Sequence, residues 1–126
     1  MNILISNFSQ SPIYEQIREQ IKEEILKGHL SSGTMLPSIR VLASELKVGV
    51  ITVKRAYEEL EKEGLIFNRQ GKGCFVKEID QREIMAQYEA SLIKQLQEVR
   101  VFCKEHAISE DRMMELLTQC KEDEDI

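Results

Sequence analysis

Two amphipathic stretches separated by only three residues constrain this chain more than any other feature. The first opens with Leu36-Pro37-Ser38. Proline disfavours helix at the residue before it, and serine offers a side-chain acceptor to the free N–H groups of a first turn. The spacing predicts a short helix with Ile39, Leu42, Ala43 and Leu46 facing inward. Lys47-Val48-Gly49 then makes a tight turn, in which Gly49 is expected to take the positive φ. A second helix is predicted from about Val50 to Glu63, burying Val53, Ala56, Tyr57 and Leu60, and Gly64 stops it.

The flanking segments extend this pair in both directions. Residues 1–10 read as an extended arm. Ser11-Pro12 opens a helix, with Ser11 as N-cap and Pro12 at the first helical position. Ile13, Ile17, Ile21 and Ile25 form one stripe, with Tyr14 and Leu26 beside it, and Gly28 ends it. Ser31-Ser32-Gly33 reads as a loop. After Gly64 come two β-type runs, Leu65–Arg69 and Cys74–Lys77, joined by Gln70-Gly71-Lys72-Gly73. Two glycines in so short a link predict a hairpin. From Gln81 to about Glu105 the pattern is one long helix, and Ser109-Glu-Asp-Arg112 marks the start of another. The fold class expected is mainly α with a small β-hairpin. It divides into the arm, a core domain over residues 11–78 and a helical tail over residues 79–126 whose acidic end, Lys121 to Asp125, is expected to be frayed and solvated.

The net charge of −5 argues against a nucleic-acid partner until its distribution is considered. Arg40, Lys47, Lys54, Arg55, Lys62, Arg69 and Lys72 fall between Leu36 and Val76, whereas the acidic excess lies beyond Gln81. Binding phosphates requires a local basic face, not a basic total. No apolar run approaches the roughly 18 residues needed to cross a bilayer, and the first residues lack the basic start of a secretory signal. A cytoplasmic location is expected. The three cysteines, Cys74, Cys103 and Cys120, are scattered and odd in number, so no disulfide framework is expected.

Helix, short helix, tight turn, helix and hairpin, in that order, is the pattern of a winged helix-turn-helix. Its last helix enters the major groove of DNA. Thr52, Lys54 and Arg55 lie in the first two turns of that helix, the end that reaches base edges, and its glutamates lie later. Arg40 fits a contact to phosphate or base, or a surface arginine paired with a carboxylate. Arg69, Gln70 and Lys72 around Gly71 and Gly73 fit a wing whose backbone approaches phosphate, or a plain solvated hairpin tip.

The strings Pro12-Ile-Tyr-Glu-Gln-Ile17, Leu36-Pro-Ser-Ile-Arg-Val-Leu-Ala43, Thr52-Val-Lys-Arg-Ala-Tyr57, Leu60-Glu-Lys-Glu-Gly-Leu-Ile66 and Gly71-Lys-Gly-Cys-Phe-Val76 closely resemble the GntR family of bacterial regulators. The short tail resembles the YtrA-like branch, which lacks a larger effector domain. The resemblance implies a homodimeric repressor of nearby genes, often those of ABC-type transporters. It also implies DNA contacts at Arg40 in the Leu-Pro-Ser-x-Arg motif and at Thr52 and Lys54, and Gly71 and Gly73 match the family's wing glycines; Ser38 of the motif is a further candidate contact. The chain departs from the family at Gly49-Val50-Ile51, where many members carry polar residues. Val50 and Ile51 can touch thymine methyls or simply pack.

On the tail, Ile84, Tyr88, Leu92, Leu96, Val99 and Phe102, with Met113 and Leu117 behind them, form a stripe that needs a partner. Two-fold self-association is the economical solution. Such a dimer sets two reading heads about one helical turn apart on a near-palindromic site, and an unknown small effector would act by changing that geometry. Two rivals share the fold. One is a metal or thiol sensor using Cys103, His106 and Cys120, and the other a protein-interaction module. No metal, no other cofactor and no catalytic constellation is expected, nor a membrane partner.

Overall fold

The computed structural model describes residues 1–120, and the acidic run from Lys121 onward lies outside them. The chain divides into two compact units, Met1–Asp80 and the segment from Gln81 onward. The first holds α1 (Ile13–Leu26), α2 (Ile39–Leu46), α3 (Val50–Lys62), β1 (Ile66–Arg69) and β2 (Gly73–Val76). The second holds α4 (Gln81–Glu105) and α5 (Glu110–Gln119). No described helix is long and apolar enough to cross a membrane.

The isoleucine stripe of α1 becomes the centre of the core. Ile17 and Ile21 are fully buried where α1 packs on α3, whose Val53, Ala56 and Leu60 are buried as well, as are Leu42, Leu65, Ile66 and Val76. Pro12, not Ser11, is the N-cap of α1, and no side chain caps that end. Pro12 has an extended ψ of 154°, so helical geometry starts one residue later than the serine signal suggested. The arm is held by an unforeseen device. Gln20 donates to the Leu4 carbonyl (2.7 Å) and accepts from its N–H (2.9 Å), and Gln16 pairs with Ser6 in the same way at 2.9 and 2.8 Å. Two glutamines four apart on a helix meet alternate residues of an extended chain, because both spacings are near 6 Å.

The turn between α2 and α3 corrects one expectation. The left-handed residue is Lys47 (φ 58°, ψ 45°), whereas Gly49 has an ordinary φ of −72° and serves as N-cap of α3. Val48 N–H reaches the Ala43 carbonyl at 3.0 Å, the long bond of a helix end that closes through a left-handed residue. That motif fixes the left-handed position immediately after the last helical residue, so it falls on Lys47 and not on Gly49. Ser38 caps α2 as expected, accepting from Val41 N–H at 3.1 Å.

β1 and β2 pair antiparallel, Ile66 opposite Val76 and Arg69 opposite Gly73. Lys72 N–H bonds the Arg69 carbonyl (2.9 Å) with Gly71 at φ 78°, the requirement of a type II turn. The residues between the expected loop, Ser31-Ser32-Gly33, and α2 supply a third short partner. Val76 N–H donates to the Thr34 carbonyl and Leu36 N–H to the Cys74 carbonyl, each at 2.8 Å, and Met35 bridges Phe75.

In the second unit α4 has the bounds the periodicity predicted. Ser109 caps α5, accepting from Arg112 N–H at 3.1 Å. The chain turns at Ala107 (φ 57°), a left-handed position without glycine. His106 lies just beyond α4, so it does not share that helix with Cys103. Its Nδ1 sits 2.8 Å from the Phe102 carbonyl and its ring stacks on Phe102.

Candidate nucleic-acid interface

The α2–α3 pair leaves one face of α3 uncovered. Val53, Ala56, Tyr57 and Leu60 face the core. On the opposite side of the same turns stand Ile51, Lys54 and Arg55, all exposed. Thr52, on the flank, is half-buried. Arg40 is exposed in the first turn of α2, beside the Ser38 cap. Pro37, Ser38, Arg40, Tyr57, Asn68 and Gly73 line an open cleft of about 280 Å³, which brings the start of α2 next to the wing. Arg69, Gln70, Gly71 and Lys72 form the exposed wing tip, and Gly73 continues it at φ 117°. All ten residues singled out in the sequence therefore lie on α2 or its N-cap, on α3, or on the wing of this unit.

Charge pairing separates this surface from the α1–α3 seam. Among the described residues, no carboxylate stands within salt-bridge distance of Arg40, Lys47, Lys54, Arg55, Arg69 or Lys72. Lys77, Arg82, Lys94 and Lys104 likewise have none, but along the α1–α3 seam the cations are engaged. Glu63, at the end of α3, takes Arg18 at 2.8 Å and Lys22 at 2.9 Å, and Glu15 and Glu19 also hold Arg18. Burial alone would lower the Arg18 pKa, but these carboxylates more than reverse it and hold the guanidinium charged. Arg100 and Arg112 pair with Glu110 and Glu115 in the tail. Sequence reasoning placed Glu63 only among the glutamates that lie late in the predicted helix. Its role in neutralising the far end of the α1–α3 seam follows from the packing of the two helices.

Two further residues shape the site without having been foreseen. The Tyr57 hydroxyl donates to the Pro37 carbonyl at 2.7 Å, tying the approach to α2 onto α3. Burial, with Cys74 and Glu45 nearby, pushes that phenol well above the ordinary tyrosine range. Tyr14 carries Arg55 on its ring face. Cys74 is half-buried in a wing strand, and burial raises its thiol pKa, with Glu61 adding to the effect. A thiol held protonated is a poor nucleophile.

The tail helices bury none of their residues within this chain. Tyr88, Leu92, Leu96, Val99, Phe102 and Leu117 are exposed, and Ile84 and Met113 are half-covered. An open apolar groove of about 510 Å³ runs between α4 and α5, lined by Leu96, Val99, Phe102, Met113, Leu116 and Leu117. Cys103 and Cys120 border the same groove. No group of three or more candidate metal ligands gathers among the described residues.

A short helix pair with a free, cationic reading face, followed by a hairpin with a cationic tip, defines a winged-helix DNA-binding regulator. The model for the gntR family of bacterial regulatory proteins matches residues 13–76, and the chain belongs to that family, whose members are transcription regulators and not enzymes. It is 46% identical over 76 residues to the HTH-type transcriptional repressor YtrA of Bacillus subtilis, covering 60% of this chain and 58% of that one, which places it in the YtrA-like branch. The matched part thus spans less than two thirds of that repressor. A second Bacillus subtilis relative, the uncharacterized HTH-type transcriptional regulator YhcF, is 34% identical over 108 residues, covering 85% and 88%. Among solved structures, a transcriptional antiterminator from Listeria monocytogenes matches at a TM-score of 0.72 and 32% identity, covering 98% of this chain and 92% of that one. The DNA-binding domain of AraR, solved in complex with operator ORX1, matches at 0.53 and 28% identity, covering 58% and 90%.

Proposed function

We propose that this chain is a homodimeric repressor that binds a near-palindromic operator through α3, the start of α2 and the wing. The observation that carries the reading is the gathering on those three elements of five cations, Arg40, Lys54, Arg55, Arg69 and Lys72, with no carboxylate partner among the described residues. Unpaired arginine and lysine side chains on one surface supply counterion release on meeting phosphates, and so most of the affinity. Arg40 and Lys54 take the base-edge or phosphate contacts nearest the groove. Ser38 keeps a hydroxyl proton for phosphate while its oxygen caps α2. Thr52 lies at the flank, and Gln70, Gly71 and Gly73 let the wing backbone approach the duplex. The exposed stripe on α4 and the groove beside α5 support pairing with a second copy in the cytoplasm. The YtrA-like resemblance supports control of a neighbouring operon for an ABC-type transporter, and a small effector would act by changing the separation of the reading heads.

Fluorescence anisotropy on the chain's own upstream DNA and on a scrambled duplex tests the reading. Tighter binding to the native fragment, lost in Arg40→Ala and weakening steeply with salt, is the expected result. Equal weak binding to both duplexes, unchanged by Arg40→Ala, would count against it.

A further inference from the structure

We infer that Ile51 is a specificity residue that reads the 5-methyl group of a thymine in the operator, an inference that rests on the DNA-binding reading above. Ile51 is the second residue of α3 and is 81% exposed. It stands opposite the core residues Val53, Ala56, Tyr57 and Leu60, so it contributes nothing to the interior. A β-branched side chain at a solvent-facing helical position also costs helix propensity relative to alanine or a long polar residue. The fold therefore offers no account of isoleucine here.

The neighbourhood does. Lys54 and Arg55 lie one turn further on, three and four residues away, and are therefore beside Ile51 on the same face. Neither has a carboxylate partner among the described residues. Gly49 at the N-cap has no side chain to shield the first turn. An apolar group beside two cations that no carboxylate neutralises is unsuited to meeting a second copy of itself, because the cations would be brought together. It suits a surface that is anionic at its rim and carries an apolar point within. In the major groove the only apolar group on a base edge is the thymine methyl, and isoleucine, having no hydrogen-bonding group, can select no other feature.

The test uses the full chain and a duplex that it enriches from a random pool. Each thymine is replaced in turn by deoxyuridine, which removes the methyl and leaves the hydrogen-bonding edge intact. At one thymine, or that thymine and its symmetry mate, wild-type binding should weaken about three- to fivefold per methyl lost from contact. Ile51→Ala should bind the thymine and deoxyuridine duplexes alike, with helix content unchanged by circular dichroism. Equal sensitivity of wild type and Ile51→Ala at every thymine would overturn the inference while leaving DNA binding intact. Failure to enrich any duplex would sink the DNA-binding reading itself, and this inference with it.

Discussion

The guanidinium carbon of Arg55 lies 3.8 Å from the centroid of the Tyr14 ring, so a cation of α3 rests on an aromatic of α1. Along the same seam, Arg18 and Lys22 are neutralised by Glu63. The contrast matters because a ring holds a guanidinium without consuming its charge. Stacking restricts the long side chain in advance and leaves its N–H groups available to a phosphate.

Replacing Tyr14 therefore separates positioning from charge. Arg55→Gln should reduce the salt slope of DNA binding by about one counterion. Tyr14→Phe should bind as the wild type does, because the quadrupole remains. Tyr14→Leu should weaken native and scrambled duplexes alike, by about two- to fivefold, since a phosphate contact carries no sequence information. Anisotropy over a salt series checks all three. A Tyr14→Leu protein with wild-type affinity at every salt concentration would remove Tyr14 from the interface.

Lys47 and Gly49 exchange the roles that composition suggests. Lys47 holds the left-handed conformation, and glycine there should stabilise the fold by about 0.5–1 kcal/mol once relief of strain is set against the added freedom of the unfolded chain. Gly49 has an ordinary φ, and a Cβ there would meet nothing nearer than the Thr52 hydroxyl at 3.9 Å. Gly49→Ser should thus be tolerated within about 0.5 kcal/mol, with the new hydroxyl able to cap α3. Urea denaturation of Lys47→Gly and Gly49→Ser measures both. Severe destabilisation by Gly49→Ser would contradict the observed turn.

That exchange shows where the sequence was legible and where it was not. Helix limits marked by chemistry were readable: Ser38 and Ser109 cap as their hydroxyls predict, and α4 spans the residues of its periodic stripe. Features settled by partners distant in sequence were not. The pairing of Thr34 and Leu36 with β2 has no pattern of its own, because four residues carry no period. The glutamine ladder on the arm needs α1 already folded. At the candidate interface, the basic residues could be counted from the sequence, but which of them lack carboxylate partners depends on how α1 packs on α3. That Ile51 stands outside the core could not be read from its residue type, because an isoleucine ordinarily packs.

The Tyr57 phenol gives the fold a predictable response to alkali. Its pKa is raised in the folded chain, so the folded state retains the proton more tightly than the unfolded one. The associated stability is fully present below the ordinary tyrosine value, near 10, and is lost as pH rises through and beyond it. At neutral pH Tyr57→Phe should cost about 1 kcal/mol, the worth of the lost bond to the Pro37 carbonyl. Above roughly pH 10 the wild type should lose that advantage while Tyr57→Phe holds its own. The Cys74 thiol, also raised, acts in the same direction in both proteins and cancels from the comparison. Urea midpoints at pH 7 and at alkaline pH measure the difference, and a gap that stays constant would refute it.

The tail offers the sharpest test of assembly, because neither of its helices buries a residue within this chain. Leu96 lies in the middle of the exposed stripe and also lines the groove beside α5. Val101 is comparably exposed, yet the helical period places it off that stripe. If the stripe is the interface between two copies, Leu96→Asp buries a charge twice in a two-fold pair and forfeits about 1.5–3 kcal/mol of apolar burial on each side. Sedimentation velocity should then show a monomer for Leu96→Asp and a dimer for Val101→Asp. Binding to a full operator should fall about tenfold or more in the monomer, whereas affinity for an isolated half-site should not change, because only the linkage of the two reading heads is lost. A dimer that survives Leu96→Asp would move the interface elsewhere on the chain.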